Sequence, residues 1–451
     1  MKISSRSLIS RIRQREVFSS PCASLCALGE YLQQIRFFTP FYEQVQIVQK
    51  ASHHEAMDKL LEVLICALRG APTVYEINTL VRPYPEVWQA FGLRSCAEQS
   101  TVADTLDACT QENVAQFRSV MNDVFTRYSQ TVQRMRTQDR FMLEMDLFGL
   151  PTGAMAEQAA KGYFPRKRIR VGHQLVRVTN PQDNEILGHW LFAGNTTSAQ
   201  VFKETVEEVE QLLHLDAVIR AHILWRVDAG FGTDENINWA LWRNYQLLAK
   251  GFSGKRAVKL AQTVKEWEAA PSQQETGRAV GKILVPIRYG RRTHQWSVRV
   301  SSNGGDKYAT LITTLTGEGP EIVQEYDHRA GLENRARTDM AGLGLGKRKK
   351  KRWPAQQIMM LIVQLAHNIL VWQNTWFHET SWTTQEQHLL NEQGIYRIVH
   401  QRLNIDGRVL KTGRKSSRIE LNPLHPFSSL VQRGFQSLLE PFGTLVILGK
   451  K

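Results

Sequence analysis

Along the first 135 positions, apolar residues recur three and four apart, the spacing of one helical face. Between residues 51 and 69 they are Met57, Leu60, Leu61, Val63, Leu64 and Leu68, and Gly70-Ala71-Pro72 supplies a stop signal. A second stretch follows Ser100-Thr101 through Val102, Leu106 and Cys109, and residues 114–136 continue the pattern. No strand-rich stretch interrupts them, so residues 1–135 are expected to form an all-α N-terminal domain. The periodicity then changes. Residues 140–147, 170–178 and 221–228 alternate or run apolar, the last two with β-branched side chains, as strands do, whereas 205–213 and 236–248 keep helical spacing. Strand alternating with helix predicts an α/β core whose first part spans 136–265.

A β-rich insertion is expected at 266–320, with short strands at 283–287, 295–301 and 308–315. Gly290-Arg291-Arg292 and Asn303-Gly304-Gly305 are read as the turns between them. Helical character returns over 321–380, the second part of the core, and 381–451 is a mixed C-terminal region. One long apolar run, residues 358–372, is interrupted by Gln364, His367 and Asn368. It is too short and too polar to span a bilayer and fits a buried helix, so no membrane is expected as a partner.

Charge narrows the partner. Lys plus Arg number 57 against 43 Asp plus Glu, a formal net charge of +14 with a sequence pI of about 9.6. A chain this basic usually meets a polyanion, because neutralising phosphates releases condensed counterions. The five cysteines contain no C-x-x-C pair, so neither a zinc site nor a disulfide framework is indicated. Thirteen histidines include no H-E-x-x-H, and no G-x-S-x-G is present, which argues against a zinc hydrolase and an α/β-hydrolase.

Three acidic residues stand where a metal-dependent nuclease needs them. Asp146 follows the apolar run from Phe141 and precedes Gly149-Leu150-Pro151, and Asp228 closes a strand and opens into Ala229-Gly230-Phe231-Gly232. Glu333 lies at the start of a predicted helix, in Tyr326-x2-Arg329-x3-Glu333. Positions three, four and seven apart share a helical face, so Tyr326, Arg329, Glu333 and Met340 are expected to project together. On spacing alone, an ordinary Arg–Glu surface pair is the better account of the motif; the two aspartates and the basic run downstream reverse that preference. Downstream, Lys347-Arg348-Lys349-Lys350-Lys351-Arg352 ends at Trp353-Pro354 and reads as a DNA-backbone contact beside an aromatic residue. Further basic patches follow Asp146 (residues 166–170) and Asp228 (residues 250–256). The Gly342-x-Gly344-x-Gly346 stretch follows no strand and matches no nucleotide-binding fingerprint.

Together these blocks resemble bacterial insertion-sequence DDE transposases. Phe141–Pro151, Arg226-Val227-Asp228-Ala229-Gly230-Phe231-Gly232 and Tyr326-x2-Arg329-x3-Glu333 are similar to that family's three signature blocks. The similarity is to the subgroup with a Y-x2-R-x3-E-x6-K motif and a β insertion between the second Asp and the Glu, and it extends over residues 27–376. It implies an RNase H-like core in which Asp146, Asp228 and Glu333 are the catalytic, metal-binding triad for two Mg²⁺ (or Mn²⁺) ions. Such ions would clamp the attacking and leaving oxygens of a phosphodiester. The resemblance also implies that Tyr326 and Arg329 engage transposon-end DNA. The expected partners are double-stranded DNA, as terminal inverted repeats and target, and a second copy of the chain in a synaptic homodimer. A cytoplasmic, nucleoid-associated location in a bacterium is expected with them.

One position departs from the motif: Met340 stands where the family has a Lys that holds a terminal phosphate. Arg337, one turn earlier, or Lys347 is expected to substitute in that role. The alternative is a catalytically impaired, transposase-derived DNA-binding protein or repressor.

Overall fold

Helical spacing at the N-terminus is realised as expected, after one strand with no local signal. The computed structural model describes residues 15–49, 53–162, 164, 170–270, 277–302, 304–344, 346, 350–377, 382–412 and 415–450. Contacts divide the chain into two units, residues 1–124 with 338–451, and residues 125–337. The first unit opens with β1 (Arg15–Ser20). Then come α1 (Ala23–Gln34), α2 (Thr39–Gln44), α3 (Ala56–Leu68), α4 (Pro85–Ala90), α5 (Gln99–Ala108) and α6 (Gln111–Tyr128). The apolar face read from the sequence of α3 is buried: Leu60, Leu61, Leu64 and Leu68 are each almost wholly enclosed.

The second unit holds a large mixed sheet. Short α7 (Gln130–Met135) leads into β2 (Phe141–Pro151), β3 (Ala160–Gly162), β4 (Arg170–Asn180) and β5 (Glu185–Ala193). Helices α8 (Ser198–Leu213) and α9 (Ala217–His222) precede β6 (Ile223–Val227), α10 (Asp234–Trp242), β7 (Gln246–Lys250) and α11 (Gly254–Ala261). The central order is β5-β4-β2-β6-β7. Strands β2, β4 and β5 pair antiparallel in turn, and β6 and β7 run parallel to β2. This is the strand order and sense of an RNase H-like core.

The insertion contributes β8 (Glu268–Ala269), β9 (Arg278–Lys282), β10 (His294–Ser302) and β11 (Gly305–Thr313). It extends the same sheet, because β11 pairs antiparallel with β7. Two expectations are corrected here. Residues 236–248 are not one helix: Asn244 takes a left-handed φ of 73°, ending α10, and Leu247, Leu248 and Ala249 are buried in β7. Nor is 283–287 a strand, since pairing with β10 ends at Lys282. Pro286 lacks a donor for a ladder, and Ile287 instead exchanges two hydrogen bonds with the Gln295 side chain, N–H to Oε1 at 2.9 Å and Nε2 to O at 2.6 Å.

Helices α12 (Gly319–Asp327) and α13 (Ala330–Gly342) follow, separated by a turn at His328 and Arg329. The single helical face expected for Tyr326, Arg329, Glu333 and Met340 is therefore broken between Tyr326 and Glu333. The rest of the first unit comprises α14 (Trp353–Phe377), α15 (Thr384–Glu392), α16 (Ile395–Arg397), β12 (Gly407–Thr412), β13 (Lys415–Leu421), α17 (Ser428–Leu439) and β14 (Leu445–Leu448). A second sheet runs β1-β12-β13-β14. Among the described residues α14 alone is long and apolar enough to cross a membrane, but 89% of its most apolar window is buried, the profile of a core helix.

One face of the large sheet positions the site. Side chains alternate along a strand and paired residues share a face. Leu224, Leu248, Val280, Trp296, Val298 and Leu311 form an apolar cluster on it, capped by Ile322 and Val323 of α12. Met142 and Tyr326 pack against its margin. Further along β2 and β6 the same face turns from apolar to charged.

Candidate active site

Period-two alternation puts Glu144 and Asp146 of β2 on the face of Met142, and Arg226 and Asp228 on that of Leu224. Parallel pairing sets Glu144 beside Arg226 and Met145 beside Val227, so Asp146 and Asp228 are the next neighbours on this face. Strand β2 does not end at Asp146 as its sequence suggested. It continues to Pro151 against β4, whereas β6 stops at Val227. Asp146 thus lies where one neighbouring strand ends and the other persists.

Asp228 is fixed by the turn that follows it. Its Oδ1 accepts the Gly230 N–H at 2.9 Å, and its carbonyl accepts the Gly232 N–H at 3.1 Å. A Cβ on Gly232 would stand 1.9 Å from the Lys250 carbonyl, so only glycine lets the turn pass β7 this closely.

Arg329, in the corner between α12 and α13, brings the two carboxylates together. Its Nη2 donates to Asp146 Oδ1 at 2.8 Å and lies 3.8 Å from Asp228 Oδ2. Burial opposes the charge on Arg329, but Asp146 and Asp228 outweigh it and hold the guanidinium pKa above its usual value. Burial also pushes the Tyr326 phenol up. The Glu333 side chain lies outside the described residues, although its backbone belongs to the first turn of α13. No group of three metal-binding side chains is found among the described residues. Two are present, both carboxylates, with a cation already between them; such oxygen donors suit Mg²⁺ or Mn²⁺.

A buried pair missed by sequence reasoning lies two residues before the aspartates. Arg226 Nε donates to Glu144 Oε1 at 2.7 Å, Nη2 meets the same oxygen, and both side chains are enclosed. Arg226 Nη1 donates to the backbone carbonyl of Glu325, near the end of α12. On the other flank, Arg177 of β4 is directly opposite Asp146, and His189 of β5 is directly opposite Arg177. Arg177 Nε donates to His189 Nε2 at 2.9 Å, and its guanidinium lies 5.5 Å from the centre of the Phe148 ring. The signal for Glu144 and Arg226 was opposite charge at the same offset before each Asp.

The basic run is partly engaged within its own unit. Lys350 Nζ donates to the Ala103 carbonyl at 2.8 Å and to Asp107 Oδ2 at 2.9 Å, and Arg352 Nη1 donates at 2.5 Å to the Asp107 carbonyl. Both cations thereby engage the C-terminal half of α5, and Arg352 supplies a donor to one of the last-turn carbonyls that lack a partner within the helix. Lys351 and Arg337 are exposed and Met340 is half-buried. Lys347, Arg348 and Lys349 lie outside the described residues, as do residues 166–169 of the patch at 166–170, whose Arg170 opens β4.

No curated protein matches the chain. A solved structure, a cryo-electron-microscopy structure of the piggyBac transposase synaptic complex with hairpin DNA, matches 87% of this chain and 83% of its own. Sequence identity is 13% and the TM-score 0.44. Residues 23–440 match the family model for the transposase DDE domain, group 1, nearly the whole length, and the chain belongs to that family of DDE transposases.

Proposed function

We propose that the chain binds the terminal inverted repeats of an insertion sequence, cleaves the ends and joins the freed 3′-hydroxyl to target DNA. The observation that carries this reading is the approach of Asp146 and Asp228 to one Arg329 nitrogen, on neighbouring strands of an RNase H-like sheet. DDE transposases generally use divalent metals. Asp146, Asp228 and Glu333 would hold two Mg²⁺ or Mn²⁺ ions, which supply charge neutralisation at the attacking and leaving oxygens.

The remaining work falls to the protein. The two aspartates must be aimed at one point, which Arg329 and the Gly230 N–H favour. Arg329 presents a planar fork that can pass from a carboxylate to a phosphate without losing charge. Tyr326, with its phenol kept protonated by burial, can donate to the same backbone. The helical N-terminal region is assigned to end recognition and a homodimer to holding two ends. Arg337, Lys351 and the neighbouring cations add sequence-independent contacts with DNA.

The test is cleavage of a duplex carrying the element's end, with Mg²⁺, by the full chain and by Asp146→Ala and Asp228→Asn. Loss of cutting and of strand transfer in both variants, with end binding retained, is the expected result. Equal cutting by the variants would remove the assignment. Met340 favours a second reading, an impaired copy that binds ends without cutting them, and an intact chain that binds but never cleaves would establish it.

A further inference from the structure

Resting on the assignment of Asp146 and Asp228 as metal ligands, we propose that Glu144 and Arg226 are positioning residues, a clamp that fixes the end of α12 relative to the two aspartates. Three observations carry it. First, the pair shares the sheet face of Asp146 and Asp228, each member two residues before its aspartate. Second, Arg226 spends its fork in two directions: Nε and Nη2 on Glu144, Nη1 on the Glu325 carbonyl and, at 3.4 Å, on Glu325 Oε1. Third, Glu325 precedes Tyr326 and stands four residues before Arg329, which contacts both aspartates.

Stability alone does not call for charge at this position. Burying an ion pair removes two solvation shells, and a well-packed apolar pair of similar volume is often neutral or stabilising. An apolar pair would fill the space under α12 but could not grip a carbonyl. The carbonyls of a helix's last turn have no partner within the helix, and Arg226 supplies one from a strand position fixed by register. Strand and helix end are thereby locked, and with them the start of α13, on which Glu333, the third proposed ligand, stands. Groups that orient metal ligands from behind typically change affinity tenfold to a hundredfold when removed.

The experiment measures Mn²⁺ binding calorimetrically and thermal unfolding on the full chain. Wild type and Asp146→Asn come first: binding by wild type, lost in the variant, establishes the underlying reading. If wild type binds no Mn²⁺, or Asp146→Asn binds it equally well, that reading fails and the clamp with it. Next comes the double variant Glu144→Met/Arg226→Met, which replaces the ion pair with apolar volume. The clamp predicts a folded protein with near-wild-type melting and Mn²⁺ affinity weaker by about tenfold or more. A folded double variant with wild-type affinity overturns it. Should the double variant not fold, Arg226→Lys decides, since one ammonium cannot hold Glu144 as a fork and grip the Glu325 carbonyl as well. Weakened Mn²⁺ binding in folded Arg226→Lys supports the clamp, and unchanged binding overturns it.

Discussion

Arg329 donates a charge-assisted hydrogen bond from Nη2 to Asp146 Oδ1 at 2.8 Å, inside the space between two aspartates. In the free protein this guanidinium is a counter-ion for carboxylates that would otherwise repel one another. Any divalent cation entering there competes with it.

Arg329→Ala is therefore expected to separate two properties. Mn²⁺ binding without DNA should be unchanged or up to about tenfold tighter, because a competing charge is gone. DNA cleavage should fall to background. Calorimetry and a cleavage assay on the same preparation check this, and weaker Mn²⁺ binding would count against the competition.

Met340→Lys places a cation seven residues after Glu333, where the insertion-sequence motif that the chain resembles has one. A charged hydrogen bond contributes about 1.5–3 kcal/mol, so affinity for an end with a terminal phosphate should rise about tenfold or more. If Arg337 or Lys347 already holds that phosphate, the gain will be absent. Binding to phosphorylated and unphosphorylated ends distinguishes these outcomes.

Gln295→Leu should loosen the segment after β9. The variant leaves the Ile287 N–H and C=O without the Gln295 amide that satisfies both. A loss of about 1–3 kcal/mol is expected. Chemical denaturation gives the magnitude, and hydrogen exchange at Ile287 shows whether the loss is local.

Glu62 supplies a pH dependence. Burial pushes its carboxyl up to about 7, against an ordinary 4.5, while Oε1 accepts the Ala97 N–H at 2.8 Å. The folded state then holds a proton that the unfolded chain has released between these values. The associated stability is fully present below pH about 4.5 and is lost as pH rises to about 7, a decline of roughly 3 kcal/mol. Glu62→Gln keeps the acceptor and removes the titration. Its stability relative to wild type should improve from pH 5 to pH 8, measured by urea unfolding.

Much of this was legible from local pattern. Apolar runs marked β2, β4 and β6, and helical spacing marked α3, α8 and α14, since both signals are carried by neighbours in the chain. Asp146 and Asp228 stood out because charge ended an apolar run. What failed needed distant information. The strand Gln246–Lys250 is a short apolar run joined to a helix, and periodicity cannot tell it from another helical turn. β1 exists only because β12, nearly 400 residues away, pairs with it. Glu144 and Arg226 become a pair only through register. No Pro marks the break at His328 and Arg329, and the neighbouring Gly331 falls after it, inside α13.

That break has a consequence for the spacing between Arg329 and Glu333. Helix α13 begins at Ala330, so Glu333 falls within its first turn. A residue added inside that turn would leave every strand and both aspartates in place, yet swing each later side chain by about 100° around the helix axis. The three residues between Arg329 and Glu333 therefore encode a rotation as well as a distance. Length variation should be tolerated in the surface loops of the insertion and forbidden here, where the chain sets the phase of a helix.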